Sequence, residues 1–129
     1  MLKRNVQKMM IEANSIIETV SVHQALDWVD DPKVAFLDVR EAGERVANGS
    51  IPGASHAPRS HLEFHADPEA ALHNPVFASG KRLILFCASG GRSTLATKTL
   101  MDMGFTDVAH IAGGFGAWRE AGGPVESIE

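Results

Sequence analysis

The chain has 129 residues, 44% of them hydrophobic and 22% charged, which suits one soluble globular domain with a single core. Its net charge of -4 without a cluster of lysines and arginines argues against nucleic-acid binding, because affinity for a phosphate backbone depends on clustered positive charge. The N-terminal segment is too polar for a signal peptide or a membrane span, which predicts a cytoplasmic protein with no membrane partner.

Apolar residues at helical spacing open the chain and predict an amphipathic helix. These residues are Val6, Met9, Met10, Ala13, Ile16 and Ile17. We assign residues 1–16 to an N-terminal helical extension and residues 17–129 to the main domain, which begins with a short strand around residues 17–20. The apolar face of the first helix either covers this domain or pairs with a second copy in a homodimer.

Ser21 and Gln24 have the spacing of a capping box and predict the start of a helix, whose apolar face reaches Val29. The apolar run 34–39 predicts a strand buried on both faces, and a short helix is expected over residues 41–47. Residues 55–57 are expected to form a brief strand after a glycine turn. Asp67 and Pro68 then have the residue types of an N-cap and a first helical position, so they predict another helix.

The second half of the chain repeats the alternation of strands and helices. Residues 83–86 predict a buried strand, and the helix that follows has its apolar face ended by Gly104. A last strand is expected over residues 108–111 and a closing helix over residues 115–121. This pattern predicts an α/β layered domain with a mostly parallel sheet flanked by helices.

The segment Cys87-Ala88-Ser89-Gly90-Gly91-Arg92-Ser93 joins a predicted strand to a predicted helix, which is where parallel sheets bind ligands. Adjacent glycines let successive N–H groups point inward, and the start of the helix adds its positive end, so the loop is expected to cradle an anion. Cys87 is the only cysteine of the chain. Because the amides and Arg92 would stabilise its thiolate, a nucleophilic role is favoured over that of a small buried hydrophobic residue.

The segment from Cys87 to Arg92 strongly resembles the six-residue active-site loop of rhodanese domains. Residues 37–41 (LDVRE) resemble the upstream motif of that family, and residues 51–54 (IPGA) its central turn. Residues 113–115 (GGF), Trp118 and residues 123–125 (GPV) resemble its C-terminal signature. Ser50 is a departure, since family members commonly have histidine before the central turn.

This resemblance implies a three-layer rhodanese-like domain, and a sulfurtransferase that moves sulfur from a donor such as thiosulfate through a persulfide on Cys87. Arg92 would bind the small anionic donor, and the persulfide would be held by the backbone amides of Ala88, Ser89, Gly90, Gly91 and Arg92. The resemblance implies no cofactor and no metal. Without a second cysteine the sulfur must leave to an external acceptor, such as cyanide, a thiol or a thioredoxin-like protein.

Two other functions compete with sulfur transfer. The first is that of a phosphatase or arsenate reductase, but those enzymes have five residues between cysteine and arginine, whereas four separate Cys87 from Arg92. The second is that of a non-catalytic binding or sensing module. Rhodanese-like members of that kind often lack the cysteine, so the presence of Cys87 and its glycine loop ranks this alternative lower.

Other polar residues have simpler interpretations. Asp38 and Arg40, at the end of a predicted strand, are expected to hold loops together rather than to catalyse. Arg59 and His61 are candidates for the mouth of the pocket. The one-turn spacing of His61 and His65 suggests a metal site, but no cysteine or carboxylate cluster accompanies them. His56, His61 and His65 are therefore predicted to lie at the surface or to support residues of the site without contacting a ligand. Core packing is predicted for Trp28 and Trp118.

Overall fold

A five-stranded parallel sheet forms the centre of the protein in a computed structural model that describes residues 1–129. The strands are β1 (Glu18–Val20), β2 (Val34–Asp38), β3 (Ser55–His56), β4 (Arg82–Phe86) and β5 (Val108–Ile111), and they pair in the order β1-β5-β4-β2-β3. The helices are α1 (Val6–Asn14), α2 (Val22–Leu26), α3 (Ala42–Asn48), α4 (Leu62–Ala66), α5 (Gly91–Met103) and α6 (Gly114–Glu120). The predicted α/β fold with a parallel central sheet is confirmed.

Alternate residues of β4 face opposite layers of the core, as the pleat of a strand requires. Leu83 and Leu85 pack with apolar residues of α4 and α5, whereas Ile84 and Phe86 pack with residues of α2 and α6. The second layer includes Trp118, which is fully buried and donates its Nε1–H to the carbonyl of Pro124 over 2.8 Å. Two apolar layers therefore enclose the sheet, and the predicted core role of Trp118 is confirmed.

The local signals at several helix ends act as the sequence predicts. Ser21 Oγ accepts from the Gln24 N–H at 3.1 Å, and Gln24 Oε1 accepts from the Ser21 N–H at 2.9 Å, which completes the capping box. The helix then ends at Leu26, earlier than the apolar spacing suggests. Gly104 ends α5 with φ +114°, a left-handed conformation that glycine adopts without a steric penalty.

The prediction that a helix begins at Asp67 and Pro68 is wrong. The helical turn lies just before it, in α4, where Leu62 and Ala66 are one turn apart and both buried. Asp67 Oδ1 instead accepts from the Glu69 N–H at 2.8 Å, so the side chain caps a turn of the chain. Because the residues after Pro68 bury no apolar face, nothing stabilises a helix there.

The N-terminal helix α1 packs against α5 and so covers the domain. Ala13 is the fully buried residue of this helix, and Met9 and Met10 are half-buried. Pairing with a second copy stays a prediction, as does the division of the chain at residue 16. None of the helices has the length and hydropathy that crossing a bilayer requires.

Candidate active site

The loop from Cys87 to Arg92 lies at the carboxyl edge of the sheet, between the end of β4 and the start of α5. Its first two carbonyls are tied to the start of α6, because the Phe115 N–H donates to Cys87 O at 2.8 Å and the Gly116 N–H donates to Ala88 O at 3.0 Å. These two carbonyls point toward α6, and the N–H groups of Gly90 and Ser93 point toward the Cys87 sulfur. The structure thus brings the six predicted site residues into one loop around Cys87.

The sulfur of Cys87 is buried and surrounded by hydrogen-bond donors. It accepts from the Gly90 N–H at 3.1 Å and from the Ser93 N–H at 3.4 Å, and the Ser93 hydroxyl lies 3.5 Å away. Burial raises the pKa of the Cys87 thiol, but hydrogen bonds from the Ser93 side chain and from the N–H groups of Ser93, Gly90 and Ser89 together lower the pKa below its ordinary value. The loop therefore favours the nucleophilic thiolate.

The two glycines of the loop differ in what they do. Gly90 has φ +117° and precedes α5, so a left-handed residue is needed there to turn the amides toward the sulfur. Gly91 is the first residue of α5 and has no positive φ, and a Cβ at this position would meet no atom within 4 Å. The backbone freedom that the sequence assigns to both glycines is thus required at Gly90 alone.

Arg92 is already bound by a carboxylate that sequence reasoning did not single out. Its Nη1 and Nη2 donate to Glu44 Oε1 and Oε2 over 2.6 and 2.9 Å, and Glu44 belongs to α3. The hydrogen bond from Arg92 is the main cause that lowers the pKa of Glu44 to about 2, so this carboxylate is ionised at neutral pH. The guanidinium predicted to bind the anionic donor therefore has a competing anion of the protein beside it.

Asp38 and Arg40 form a buried network at the end of β2. Arg40 donates from Nε to Asp38 Oδ1 over 2.9 Å and from Nη2 to Asp38 Oδ2 over 2.8 Å, and its Nη2 also reaches Gly49 O over 2.7 Å. Ser50 Oγ donates to Asp38 Oδ2 over 2.8 Å. Burial raises the pKa of Asp38, but the bonds from Arg40 and Ser50 lower it overall. These contacts confirm that the pair holds the end of β2 to the loop at residues 49–50. Ser50, the residue that departs from the family pattern, is one of the donors to Asp38.

Sequence reasoning also missed His110, a buried residue that contacts Ser93. His110 lies in β5, with its Nδ1 2.9 Å from Ser93 Oγ and its Nε2 3.1 Å from Thr19 Oγ1. Burial lowers the pKa of His110, which favours the neutral imidazole. The signal in the sequence is a single histidine within an otherwise apolar strand.

The side chain of Arg59 is bound by residues of α4 and α5. Its guanidinium pairs with Glu63 at 3.0 Å and contacts Thr99 Oγ1 at 3.4 Å. Thr99 is about two helical turns beyond Arg92 on α5. The structure thus gives the Arg59 side chain one partner in α4 and one in α5, and no hydrogen bond to the Cys87 sulfur.

The remaining histidines and Trp28 have local partners. His56 Nε2 lies 2.7 Å from the carbonyl of Arg40, so this ring supports the end of β2. The rings of His61 and His65 are 6.1 Å apart, and His65 Nδ1 lies 2.9 Å from the carbonyl of Leu72. Trp28 packs against the core layer that contains Trp118, as predicted.

Comparison with known proteins places these features in one family. The family model described as Rhodanese-like domain matches residues 21–121. Thiosulfate:glutathione sulfurtransferase of Homo sapiens is 31% identical over 108 residues, which cover 79% of this chain and 93% of that protein. A tRNA uridine(34) hydroxylase of Prochlorococcus marinus (strain MIT 9303) is 34% identical over 97 residues, but the match covers 74% of this chain and 31% of that longer protein.

A solved structure from Rhodopseudomonas palustris CGA009 is similar over nearly the whole chain. It is 43% identical, with a TM-score of 0.94, and the match covers 98% of this chain and 97% of that chain. It is described as a protein of unknown function and a possible tyrosine phosphatase. The similarity therefore includes the N-terminal helix α1 as well as the domain.

Proposed function

The chain belongs to the rhodanese-like domain family, and we propose on that premise that it is a sulfurtransferase that carries a sulfane sulfur on Cys87. One observation carries the proposal: the Cys87 sulfur lies among the inward-facing N–H groups of Gly90 and Ser93. Such a cradle stabilises negative charge on the sulfur before the reaction and on a terminal persulfide sulfur after it. One arrangement therefore serves both halves of a transfer.

In the first half, the Cys87 thiolate attacks the outer sulfur of thiosulfate. A bond forms between Sγ and that sulfur, the sulfur–sulfur bond of thiosulfate breaks, and sulfite leaves with the electron pair. Cys87 is left as a persulfide anion, so charge and electrons balance without a cofactor. The amides of residues 88–92 would hold this anion, as the family resemblance implies.

In the second half, an external nucleophile attacks the terminal sulfur. The bond between this sulfur and Sγ breaks, the Cys87 thiolate is regenerated with the electron pair, and the acceptor leaves with the sulfur. Cyanide would become thiocyanate and a thiol would become a persulfide. The name of the human relative makes glutathione the first thiol to test, and a thioredoxin-like protein is the other candidate. A cytoplasmic location remains a prediction.

Arg92 would bind the sulfonate end of the donor, although its guanidinium is held by Glu44. The donor anion must then share or replace the carboxylate of Glu44 on the guanidinium. Because Glu44 is itself partly exposed, its side chain has room to swing into solvent when a dianion arrives. Donor binding thus competes with an ion pair of the protein.

The test is formation of thiocyanate from thiosulfate and cyanide, with glutathione as a second acceptor, by the wild type and by Cys87→Ser. The wild type should turn over with ping-pong kinetics, and Cys87→Ser should be inactive because it lacks the nucleophilic sulfur. Ala121→Ser, which introduces the same residue at an exposed position at the end of α6, serves as the matched control and should behave as the wild type. Equal activity of Cys87→Ser and the wild type would exclude the persulfide route.

A phosphatase is the second candidate, because the solved structure with 43% identity is described as a possible tyrosine phosphatase. The same variants are assayed with an aryl phosphate. Turnover of the phosphate that disappears in Cys87→Ser, without formation of thiocyanate, would replace the sulfurtransferase proposal. If neither substrate turns over and Cys87 alkylates no faster than a peptide cysteine, the binding-module interpretation takes its place.

A further inference from the structure

A continuous chain of hydrogen bonds runs from the Cys87 sulfur to the outer strand β1. The Ser93 hydroxyl lies 3.5 Å from Sγ and 2.9 Å from His110 Nδ1. His110 Nε2 lies 3.1 Å from the hydroxyl of Thr19, which is paired with His110 in the register of β1 and β5. Cys87, Ser93 and His110 are buried, whereas Thr19 is exposed, so the chain connects the sulfur to solvent behind the loop.

The Ser93 hydroxyl has one proton and three neighbours that can take it. Besides Sγ and His110 Nδ1, the carbonyl of Gly90 lies 3.2 Å away. That carbonyl already accepts from the Thr94 hydroxyl at 2.7 Å and from the Thr94 N–H at 3.0 Å, so its two lone pairs are in use. His110 and the sulfur therefore decide between them which way the Ser93 hydroxyl points.

We propose that His110 is a positioning residue for Cys87, which turns the Ser93 hydroxyl toward the sulfur when the sulfur is ionised. In the thiol state, S–H donates to Ser93 Oγ, Ser93 O–H donates to His110 Nδ1, and Nε2–H donates to Thr19. In the thiolate state every bond reverses: Thr19 donates to Nε2, Nδ1–H donates to Ser93 Oγ, and Ser93 O–H donates to the sulfur. The two states differ by one proton, which leaves to solvent at Thr19.

A neutral imidazole suits this role because it has one donor and one acceptor and exchanges them by changing tautomer. The hydroxyl of Thr19, its nearer partner at Nε2, is uncharged and can donate or accept, whereas the Thr94 hydroxyl, 3.4 Å from Nε2, donates to Gly90 O and can only accept. Arg92 of α5 interacts with the charge of Cys87 and is itself near Glu44 of α3 and Glu41, and none of these charged groups forms a hydrogen bond with His110. This inference rests on the proposed sulfurtransferase activity only where it implies an effect of His110 on turnover. The expected effect of His110 on the pKa of Cys87 does not depend on that activity.

The test measures the pKa of Cys87 from the pH dependence of alkylation by iodoacetamide, in protein whose fold is checked by circular dichroism. His110→Leu and His110→Phe remove the Nδ1–H that donates to Ser93 Oγ and strengthens the Ser93 hydroxyl as a donor to the ionised sulfur. They should raise the pKa of Cys87 by about one unit, which slows alkylation near pH 6 about tenfold. His110→Asn, whose amide lies near the position of Nδ1, should restore most of the rate. In a Ser93→Ala background, His110→Leu should have no further effect, because His110 acts through Ser93.

An unchanged pKa of Cys87 in both apolar variants overturns the proposal. It is also overturned if His110→Leu raises the pKa of Cys87 as much in the Ser93→Ala background as in the wild type, because the role of His110 would then be merely structural. If neither apolar variant folds, Thr19→Val replaces them at the exposed end; it should raise the pKa of Cys87, and an unchanged value overturns the proposal. If Cys87 of the wild type reacts rapidly with iodoacetamide but the protein transfers no sulfur, the proposed function is contradicted. The comparison of Cys87 pKa values between the wild type and the His110 variants still tests the role of His110.

Discussion

If the proposed function holds, the ion pair between Arg92 and Glu44 determines how much positive charge the site offers to a sulfur donor. Glu44→Gln removes the negative charge that competes with the donor for Arg92. A partly exposed ion pair is worth about 1 kcal/mol, so we expect the KM for thiosulfate to fall about fivefold. Steady-state thiocyanate formation measures this change. Glu63→Gln is the matched control, because it removes a carboxylate from a different arginine, Arg59, and should leave KM unchanged. A higher KM in Glu44→Gln would show that the carboxylate positions Arg92 instead.

The same pair makes part of the stability depend on pH. The folded pKa of Glu44, about 2, is lower than its ordinary value of 4.5, so its stabilising contribution is complete above about pH 5 and is lost as the pH falls toward 2. The free energy of unfolding of the wild type should therefore exceed that of Glu44→Gln by a constant amount near neutral pH, and by less at about pH 3. Urea titrations of both proteins at several pH values check this. A difference that does not change with pH contradicts it.

At the level of the elements, the start of α6 supports the cysteine loop from behind. Gly114 has φ +59°, and a Cβ there would lie 2.5 Å from Cys87 O and 2.9 Å from Ala88 O. Gly114→Ala should push the loop out of position, lower the free energy of unfolding by about 3 kcal/mol and slow the alkylation of Cys87.

Gly122→Ala is the control for this prediction. Gly122 has φ +78°, but a Cβ there would meet no atom within 4 Å, so the substitution introduces backbone strain of about 1 kcal/mol without a clash. Urea unfolding and alkylation rates are measured for both variants. Equal losses of stability, with equal alkylation rates, would mean that α6 does not position the loop.

On the scale of the whole molecule, α1 packs against α5, whose first turn contains Arg92. Ala13→Asp would place a charge at the fully buried position of α1, and we expect it to lower the free energy of unfolding by about 3 kcal/mol. Asn14→Asp introduces the same residue at the next, exposed position and should change stability little. A similar loss in both variants, measured by urea unfolding, would contradict a structural role for α1.

Local patterns in the sequence determine the elements and the identity of the loop. Buried strands and helical faces have a periodicity that depends only on neighbouring residues, and Cys87, Gly90 and Arg92 lie within one short segment between them. Local signals fail where a cap is ambiguous. Asp67 has the residue type of an N-cap, but whether it starts a helix or a turn depends on an apolar face that the following residues do not bury.

Only the tertiary structure decided which distant residues meet the loop. Glu44 reaches Arg92 because α3 follows β2, and β2 pairs with β4 so that both strands end at the same edge of the sheet. His110 lies beneath Ser93, with Thr19 beside it, because β5 is paired with both β4 and β1. Strand order arises from packing between segments far apart along the chain, and no local periodicity encodes it. The sequence therefore determined Cys87 and its loop, while the fold determined the carboxylate of Glu44 and the imidazole of His110 that lie beside them.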